Sequence, residues 1–413
     1  MDFDVIVLGA GIVGVSAALH LQERGRRVAL VDRRAPGEET SFGNAGLIES
    51  SSVVPYAFPR DPGTLLRYLR NQSTDLYWDY KALPSFATWL ARFWWASSPR
   101  RLEAAARDML PLIRQSVAEH DALIERADLA KLAHNGGWLE AFRTREEFER
   151  QAVAAETAAR TYGLRVVPLD AAALQMRERS LGPGFCGALH WQDPTSIANP
   201  GALTKGYARL FEEGGGALLT GEATTLRQQA DAWTVQTSQD RISGKEVVVA
   251  LGPWSDKVFT PLGYRIPLRA KRGYHMHYEA TKEMLSVPLV DTEKGYVVAP
   301  MQGRLRLTTG VEIARRESAP TGIQLERAES VARALFGLGR RLDDAPWLGL
   351  RPCTPDMRPV IGQAPSHRGL WFSFGHNHHG LTLGPVTGRL LAEMMTGATP
   401  IVDPYPFRPE RFW

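Results

Sequence analysis

"DFDVIVLGAGIVGVSAALHLQERGRRVALVDRR" (Asp2 to Arg34) decides the architecture of this chain. Val5-Ile6-Val7-Leu8 is a run of β-forming residues that stops at Gly9, as a strand buried in a parallel sheet does. A helical pattern follows from Val13 to Arg24, and Gly25 ends it. Val28 to Val31 is a second buried strand. Strand, helix and strand within about 30 residues make a βαβ unit and predict a parallel sheet. Gly9, Gly11 and Gly14 stand at the first junction in Gly-x-Gly-x-x-Gly spacing. The first permits a tight turn, the second lets backbone approach a pyrophosphate, and the third lets the helix pack on the strand. The helix start offers free N–H groups and a partial positive charge to phosphates. Asp32 closes the second strand, where a carboxylate binds ribose hydroxyls and disfavours a 2′-phosphate. The unit predicts a dinucleotide site, with Ala10, Ile12, Val13 and Arg33 beside the glycines and Asp32.

Three later stretches extend that site. "ETSFGNAGLI" (Glu39 to Ile48) is a loop of small residues able to hug a second part of a long ligand, through Thr40, Ser41, Asn44, Ala45, Gly46 and Leu47. "EVVVALGPW" (Glu246 to Trp254) is another buried strand ending in glycine, expected to return to the first sheet, and contributes Ala250, Gly252 and Trp254. "FSFGHNHHGLTLGPVTGRLLAEMMTG" (Phe372 to Gly397) reads strand, glycine-rich loop, helix. Its loop, with His379, Gly380, Leu381 and Thr382, again aims backbone N–H groups at an anion. A reduced flavin carries negative charge at its N1/O2 edge, which a helix N-terminus stabilises. A dinucleotide held by both the front and the back of the chain suits an extended FAD better than NAD.

The 413 residues are 44% hydrophobic and 23% charged, ordinary globular composition with room for two domains. A formal charge of +4, without a long Lys/Arg run, argues against a nucleic-acid partner. Two cysteines, Cys186 and Cys353, suit a reducing compartment and exclude a disulfide scaffold. With no signal peptide and no transmembrane stretch in the pattern, the expected location is cytoplasmic, peripheral contact with the inner membrane being left open. "FATWLARFWWASSPRR" (Phe86 to Arg101) is read as a buried helix in preference to a membrane-interface helix. Amphipathic helices are predicted over 102–130 and 144–161, and alternating strands over 263–345 suit an antiparallel sheet.

The quoted stretches, together with "GLRPCTPDMRPVIG" (Gly349 to Gly362), resemble the D-amino acid oxidase superfamily of flavoproteins, most closely bacterial D-amino acid dehydrogenases. The resemblance runs through almost the whole chain in the same order. It implies an α/β (α+β overall) fold, with a Rossmann-type FAD-binding domain and an inserted mixed-sheet substrate domain. The division expected is 1–70, 195–262 and 346–413 for FAD, and 71–194 and 263–345 for substrate. It also implies oxidation of an amino acid at Cα by hydride transfer to flavin N5, giving an imine that hydrolyses to a 2-oxo acid and ammonia. Neither thiol falls where some relatives attach flavin, so non-covalent FAD is implied. The electron acceptor stays open between quinone, an electron-transfer protein and oxygen. So do two other readings: a glycine/sarcosine- or hydroxyproline-type enzyme, and a flavin-binding subunit without turnover.

Such chemistry needs a cation for the substrate carboxylate. Arg351 in "GLRPCTPD" matches the carboxylate arginine of the family, and a guanidinium grips a carboxylate at two points. Tyr296 in "KGYVVAP" and Tyr274 in "KRGYHMHY" are expected to line the pocket. His275 and His277 share one face of a strand and are read as exposed or structural. His376, His378 and His379 are expected to face the flavin rather than a metal, since neighbouring loop histidines rarely converge on one ion. No general base is evident, and none is required if the substrate amine arrives deprotonated.

Overall fold

The computed structural model describes residues 2–413. The opening stretch forms a strand (Asp2–Leu8), a helix (Ile12–Glu23) and a second strand (Val28–Asp32). The strands run parallel, Val5 opposite Val28 and Leu8 opposite Val31. The helix ends at Arg24 because Gly25 takes φ +76, a conformation that a Cβ disfavours. Strand Arg241–Val249 lies parallel on the other flank of the opening strand, followed by Leu370–Phe374. Ala217–Gln229 runs parallel outside Val28–Asp32. Ala232–Thr237 and Val360–Gln363 complete this seven-stranded sheet as antiparallel members. Its central strands are covered on both faces, so Val5 to Leu8 and Val247 to Val249 are fully buried. That is why they read as unbroken apolar runs.

The two ends of the chain pack together. Gly388 of the closing helix (Gly380–Thr396) backs onto Ser16 and Ala17 of the first helix, where a Cβ would come within 2.7 Å of the Ser16 carbonyl carbon. This contact brings the glycine fingerprint and the start of the closing helix to one place.

A second sheet has eleven strands. Its spine is the long strand Arg269–Ala280, flanked by Arg304–Thr308, Val311–Ile313, Leu338–Arg341 and Trp347–Cys353. Trp138–Phe142, Gly187–Trp191 and Val166–Asp170 form its far end. Helix Ile323–Phe336 covers one face and buries Leu325, Ala328 and Ala332 against Tyr274, Met276 and Tyr278. Trp347–Cys353, grouped at sequence level with the FAD-binding residues 346–413, pairs instead with this large sheet. A small three-stranded sheet of Leu47–Ile48, Thr195–Ile197 and Ala133–His134 lies beside both.

The expected helices form over Pro99–Arg126 and Arg145–Tyr162. Helix Leu83–Ala96 buries Phe86, Trp89 and Phe93, but Trp94 and Trp95 are exposed, so the reading of that stretch as a buried helix holds for one face only.

Candidate active site

The glycine fingerprint is built as its spacing requires. Gly9 takes φ +109, and a Cβ there would lie 2.5 Å from the Ala250 oxygen. At Gly14 a Cβ would lie 1.8 Å from the Gly9 oxygen, so only glycine lets helix and strand meet. Asp32 accepts the Ala10 N–H at 2.7 Å and the Arg34 N–H at 3.0 Å, which fixes its carboxylate at the end of its strand. The Arg33 guanidinium stacks on Trp254, 4.8 Å from the ring centre. Ser41 Oγ accepts the Ile12 N–H at 3.0 Å, joining the loop to the helix start. Thr40 Oγ1 donates to the Leu350 carbonyl at 2.8 Å. Asn44 Oδ1 accepts the Gly46 N–H at 2.8 Å and holds the turn in which Gly46 takes φ +81. Thr382 Oγ1 accepts the Glu49 N–H at 3.0 Å and donates to the Leu47 carbonyl at 3.2 Å, tying this loop to the start of the closing helix.

These elements enclose a continuous cavity of about 810 Å³. Gly9, Gly11, Ile12, Val13, Asp32 and Arg33 line one end. Thr40, Ser41, Asn44, Ala45 and Leu47 follow, with Ala250, Gly252 and Trp254 opposite. Gly380, Leu381 and Thr382 present the N-terminus of the closing helix. Ala10, Gly14 and Gly46 do not line the cavity and support it from behind. The glycine cradle that a Cβ would fill, the two helix starts and the unbroken length between them fit an extended dinucleotide such as FAD. His379 is a correction: it lies outside this cavity, buried, its Nε2 without a partner, and burial pulls its pKa down to about 4. His376 and His378 do line it.

Arg351 lines the same cavity. Its guanidinium donates to the carbonyls of Gly310 at 2.8 Å and Thr309 at 3.2 Å. Among the described residues it meets no carboxylate, so its charge is held in place and left for a ligand. Lys271 stands opposite Arg351 on the next strand, and also lines the cavity. Residues so paired share one face of the sheet. Burial lowers the pKa of both, and the two cations together with burial hold His378 well below its usual value, hence neutral.

Glu49, Glu140 and Tyr56 also line the cavity. Burial pushes Glu49 up to about 7 and raises Glu140, while the neighbouring carboxylates and burial keep the Tyr56 hydroxyl protonated far above its usual range. None of Lys271, Glu49, Glu140 and Tyr56 was singled out from the sequence. For Glu140 a signal existed, one acid in the apolar strand "GGWLEAF". For Lys271 the signal is its register against Arg351, which appears only once the strands are paired.

Of the two tyrosines expected to line the pocket, Tyr274 does and Tyr296 is a correction. Tyr296 does not line the cavity: its neighbours Gly295 and Val297 do, and strand alternation turns Tyr296 into the core beside Phe336. There its hydroxyl lies 3.4 Å from Arg143, which is bound to the buried Asp291 at 2.6 Å. Tyr274 borders the cavity, but its hydroxyl is consumed by Glu312, Arg272 and the Thr321 N–H. It stabilises the fully buried Arg272–Glu312 pair, whose atoms approach to 3.3 Å. His275 and His277 are structural but not exposed: His275 stacks on Trp347 at 4.7 Å, and His277 pairs with Asp343 at 2.8 Å.

A family model described as DAO, FAD dependent oxidoreductase, matches residues 4–394. A D-amino-acid oxidase of Bradyrhizobium diazoefficiens is 31% identical, over 99% of this chain and 98% of the relative. A D-amino acid dehydrogenase of Paramagnetospirillum magneticum is 30% identical over 95% of each chain. Among solved structures, glycine oxidase from Geobacillus kaustophilus superimposes with a TM-score of 0.78 over 98% of each chain at 21% identity, a likeness of fold.

Proposed function

The chain belongs to the DAO family of FAD-dependent oxidoreductases and is a FAD-dependent amino-acid oxidoreductase, and we propose that its substrate is a D-amino acid oxidised at Cα. The observation that carries this reading is Arg351, a guanidinium without a carboxylate partner in the same cavity as the glycine cradle. An amino acid carboxylate supplies the two acceptor atoms such a fork takes. Two relatives at 30% and 31% identity are described as acting on D-amino acids, which supports the stereochemistry.

FAD, when bound, supplies the hydride acceptor. The fingerprint and Asp32 would hold its adenosine and phosphates, and backbone N–H groups at the start of the closing helix would stabilise negative charge on its reduced ring. Cys353 is packed among Trp89, Phe93 and Met357 outside the cavity, which supports FAD held without a covalent bond. Arg351 fixes the substrate carboxylate and so limits the poses Cα can take. The positive charges of Lys271 and Arg351 in the same cavity disfavour a further ammonium and so favour loss of the α-ammonium proton to solvent. With the amine neutral, the Cα–H bond breaks with its electron pair leaving as hydride, the nitrogen lone pair forms the C=N bond, and water hydrolyses the imine to a 2-oxo acid and ammonia.

Anaerobic mixing with paired D- and L-amino acids tests this reading. Loss of flavin colour with D-forms is expected; bleaching by L-forms alone overturns the stereochemistry, and bleaching by neither overturns the activity. Peroxide released in air identifies oxygen as the acceptor, and dye reduction without peroxide identifies a dehydrogenase.

We also propose peripheral membrane contact at helix Leu83–Ala96. No helix among the described residues is long and apolar enough to cross a membrane. Exposed Trp94 and Trp95 carry Arg60 and Arg101 stacked on their rings at 4.3 and 3.3 Å, and Leu66 and Leu69 are exposed nearby in sequence. Aromatic bodies with basic heads are what interfacial elements present. Sedimentation with anionic vesicles, weakened by Trp94→Ser with Trp95→Ser, is the expected result; no sedimentation overturns it.

A further inference from the structure

Apart from Asp32, Glu222 and Lys257, the cavity is lined by four lysine, arginine or glutamate side chains that no ion pair accounts for among the described residues, and these four are segregated by sign. Lys271 and Arg351 occupy one end. Lys271 is nine-tenths buried, makes no hydrogen bond through its ammonium, and rests over Phe93 and Trp89, 4.2 and 5.1 Å from the ring centres. Glu49 and Glu140 occupy the other. Glu49 is bound only by the Ser52 hydroxyl, and Glu140 by the Trp191 indole N–H at 3.2 Å. Neither carboxylate has a lysine, arginine or histidine within ion-pair distance. Tyr56 also lines the cavity, and its hydroxyl proton is held by Glu49 and Glu140 and loosened by Arg351.

Sheet order keeps the two ends apart. Strands Arg304–Thr308, Tyr296–Met301 and Leu289–Asp291 intervene between Arg269–Ala280, which carries Lys271, and Trp138–Phe142, which carries Glu140. Neighbouring strands are about 4.8 Å apart. An α-ammonium, one bond from the carbon that bears the carboxylate, does not reach across such a gap when Arg351 holds that carboxylate. A long side chain does, because the Arg351 guanidinium already reaches over Gly273 to the Thr309 and Gly310 carbonyls and so starts part of the way across. Two half-buried carboxylates that face a cavity without a countercharge are unfavourable, and a ligand cation placed between them relieves both.

Resting on the reading that Arg351 takes the α-carboxylate, we propose that Glu49 and Glu140 form the side-chain subsite. The substrate class is then amino acids with a long cationic side chain, an ammonium or a guanidinium. Lys271 keeps the opposite end cationic, so such a substrate binds in one direction.

The test compares D-lysine and D-arginine with D-norleucine, which keeps the chain length of lysine without the charge, and with D-glutamate. Anaerobic flavin bleaching gives the ratio of reduction efficiencies. A cationic-to-norleucine ratio of about tenfold or more is expected, and Glu140→Gln and Glu49→Gln should each reduce that ratio by about tenfold. Binding without turnover is a second readout: 6-aminohexanoate should perturb the flavin spectrum at lower concentration than hexanoate, and Glu140→Gln should abolish the difference. Retained flavin absorbance shows that each variant folds. Equal bleaching by norleucine and lysine, preference for D-glutamate, or a ratio unmoved by both substitutions overturns this proposal and leaves the amino-acid reading standing. Bleaching by none of these compounds overturns this proposal, and only bleaching by neither form of any amino acid, D-alanine and D-proline included, overturns the amino-acid reading with it.

Discussion

Gly273 makes the room that the Arg351 guanidinium fills. A Cβ at Gly273 would lie 2.5 Å from Nη1 and 2.8 Å from Cζ of Arg351, across neighbouring antiparallel strands. The obstructed atoms are the tip of a flexible side chain, so alanine is accommodated by moving the guanidinium rather than the sheet. Gly273→Ala is therefore expected to keep its flavin and its unfolding midpoint while raising the KM for amino acids about tenfold, since a misaligned fork loses part of a charge-assisted contact. Steady-state kinetics beside a thermal melt check this; a lowered midpoint with unchanged KM would place the role of Gly273 in stability.

Arg351→Lys preserves the charge but removes the planar fork and its bonds to the Gly310 and Thr309 carbonyls. The expected loss in kcat/KM is about 30- to 1000-fold, corresponding to about 2–4 kcal/mol, with flavin content unchanged. Single-turnover reduction rates separate weakened binding from slowed chemistry. Equal efficiency in the lysine variant would show that charge alone anchors the substrate.

Gly14→Ala places a Cβ 1.8 Å from the Gly9 oxygen, a backbone atom that cannot step aside. The expected product is protein with little or no bound flavin, seen as a fall in visible absorbance per protein. Gly25→Ala is the contrast, because nothing lies within 4 Å of the added carbon there, although φ +76 strains it. It should cost about 1 kcal/mol of stability and leave flavin binding intact.

His120 couples acid stability to the cofactor end of the cavity. It is fully buried between the Tyr207 hydroxyl at 3.0 Å and the carbonyl of Leu381 at 2.7 Å. Burial pulls its pKa down to about 4 despite the bond to Leu381. Unfolded, the imidazole takes up a proton near its ordinary value of 6.5. Between those values the unfolded chain binds more protons than the folded one, so stability falls as pH falls, by on the order of 3 kcal/mol in all. His120→Gln should flatten the decline in unfolding midpoint from pH 7 to pH 4.5. An unchanged slope would assign the acid sensitivity to other groups.

The fingerprint was legible in the sequence because it is local. Gly9, Gly11, Gly14 and Asp32 act through turns and strand ends within one βαβ unit, where residue spacing alone sets the geometry. Arg351 was legible only through resemblance, since nothing in "GLRPC" says which way its side chain points. Tyr296 shows the cost of that ignorance: one step in register separates the cavity wall, at Gly295 and Val297, from the core where the tyrosine lies.

By itself, the order of residues determined the nucleotide cradle, the pairing of the front and back of the chain around it, and the alternation of buried runs with glycine stops. The tertiary structure alone decided the charge pattern of the cavity. Lys271, Arg351, Glu49 and Glu140 come from four segments as much as 302 residues apart (351 − 49), and only strand pairing sets which of them share a face. Hydrophobic periodicity is read along the chain, whereas an electrostatic field is summed through space, so the second cannot be computed until the first has folded.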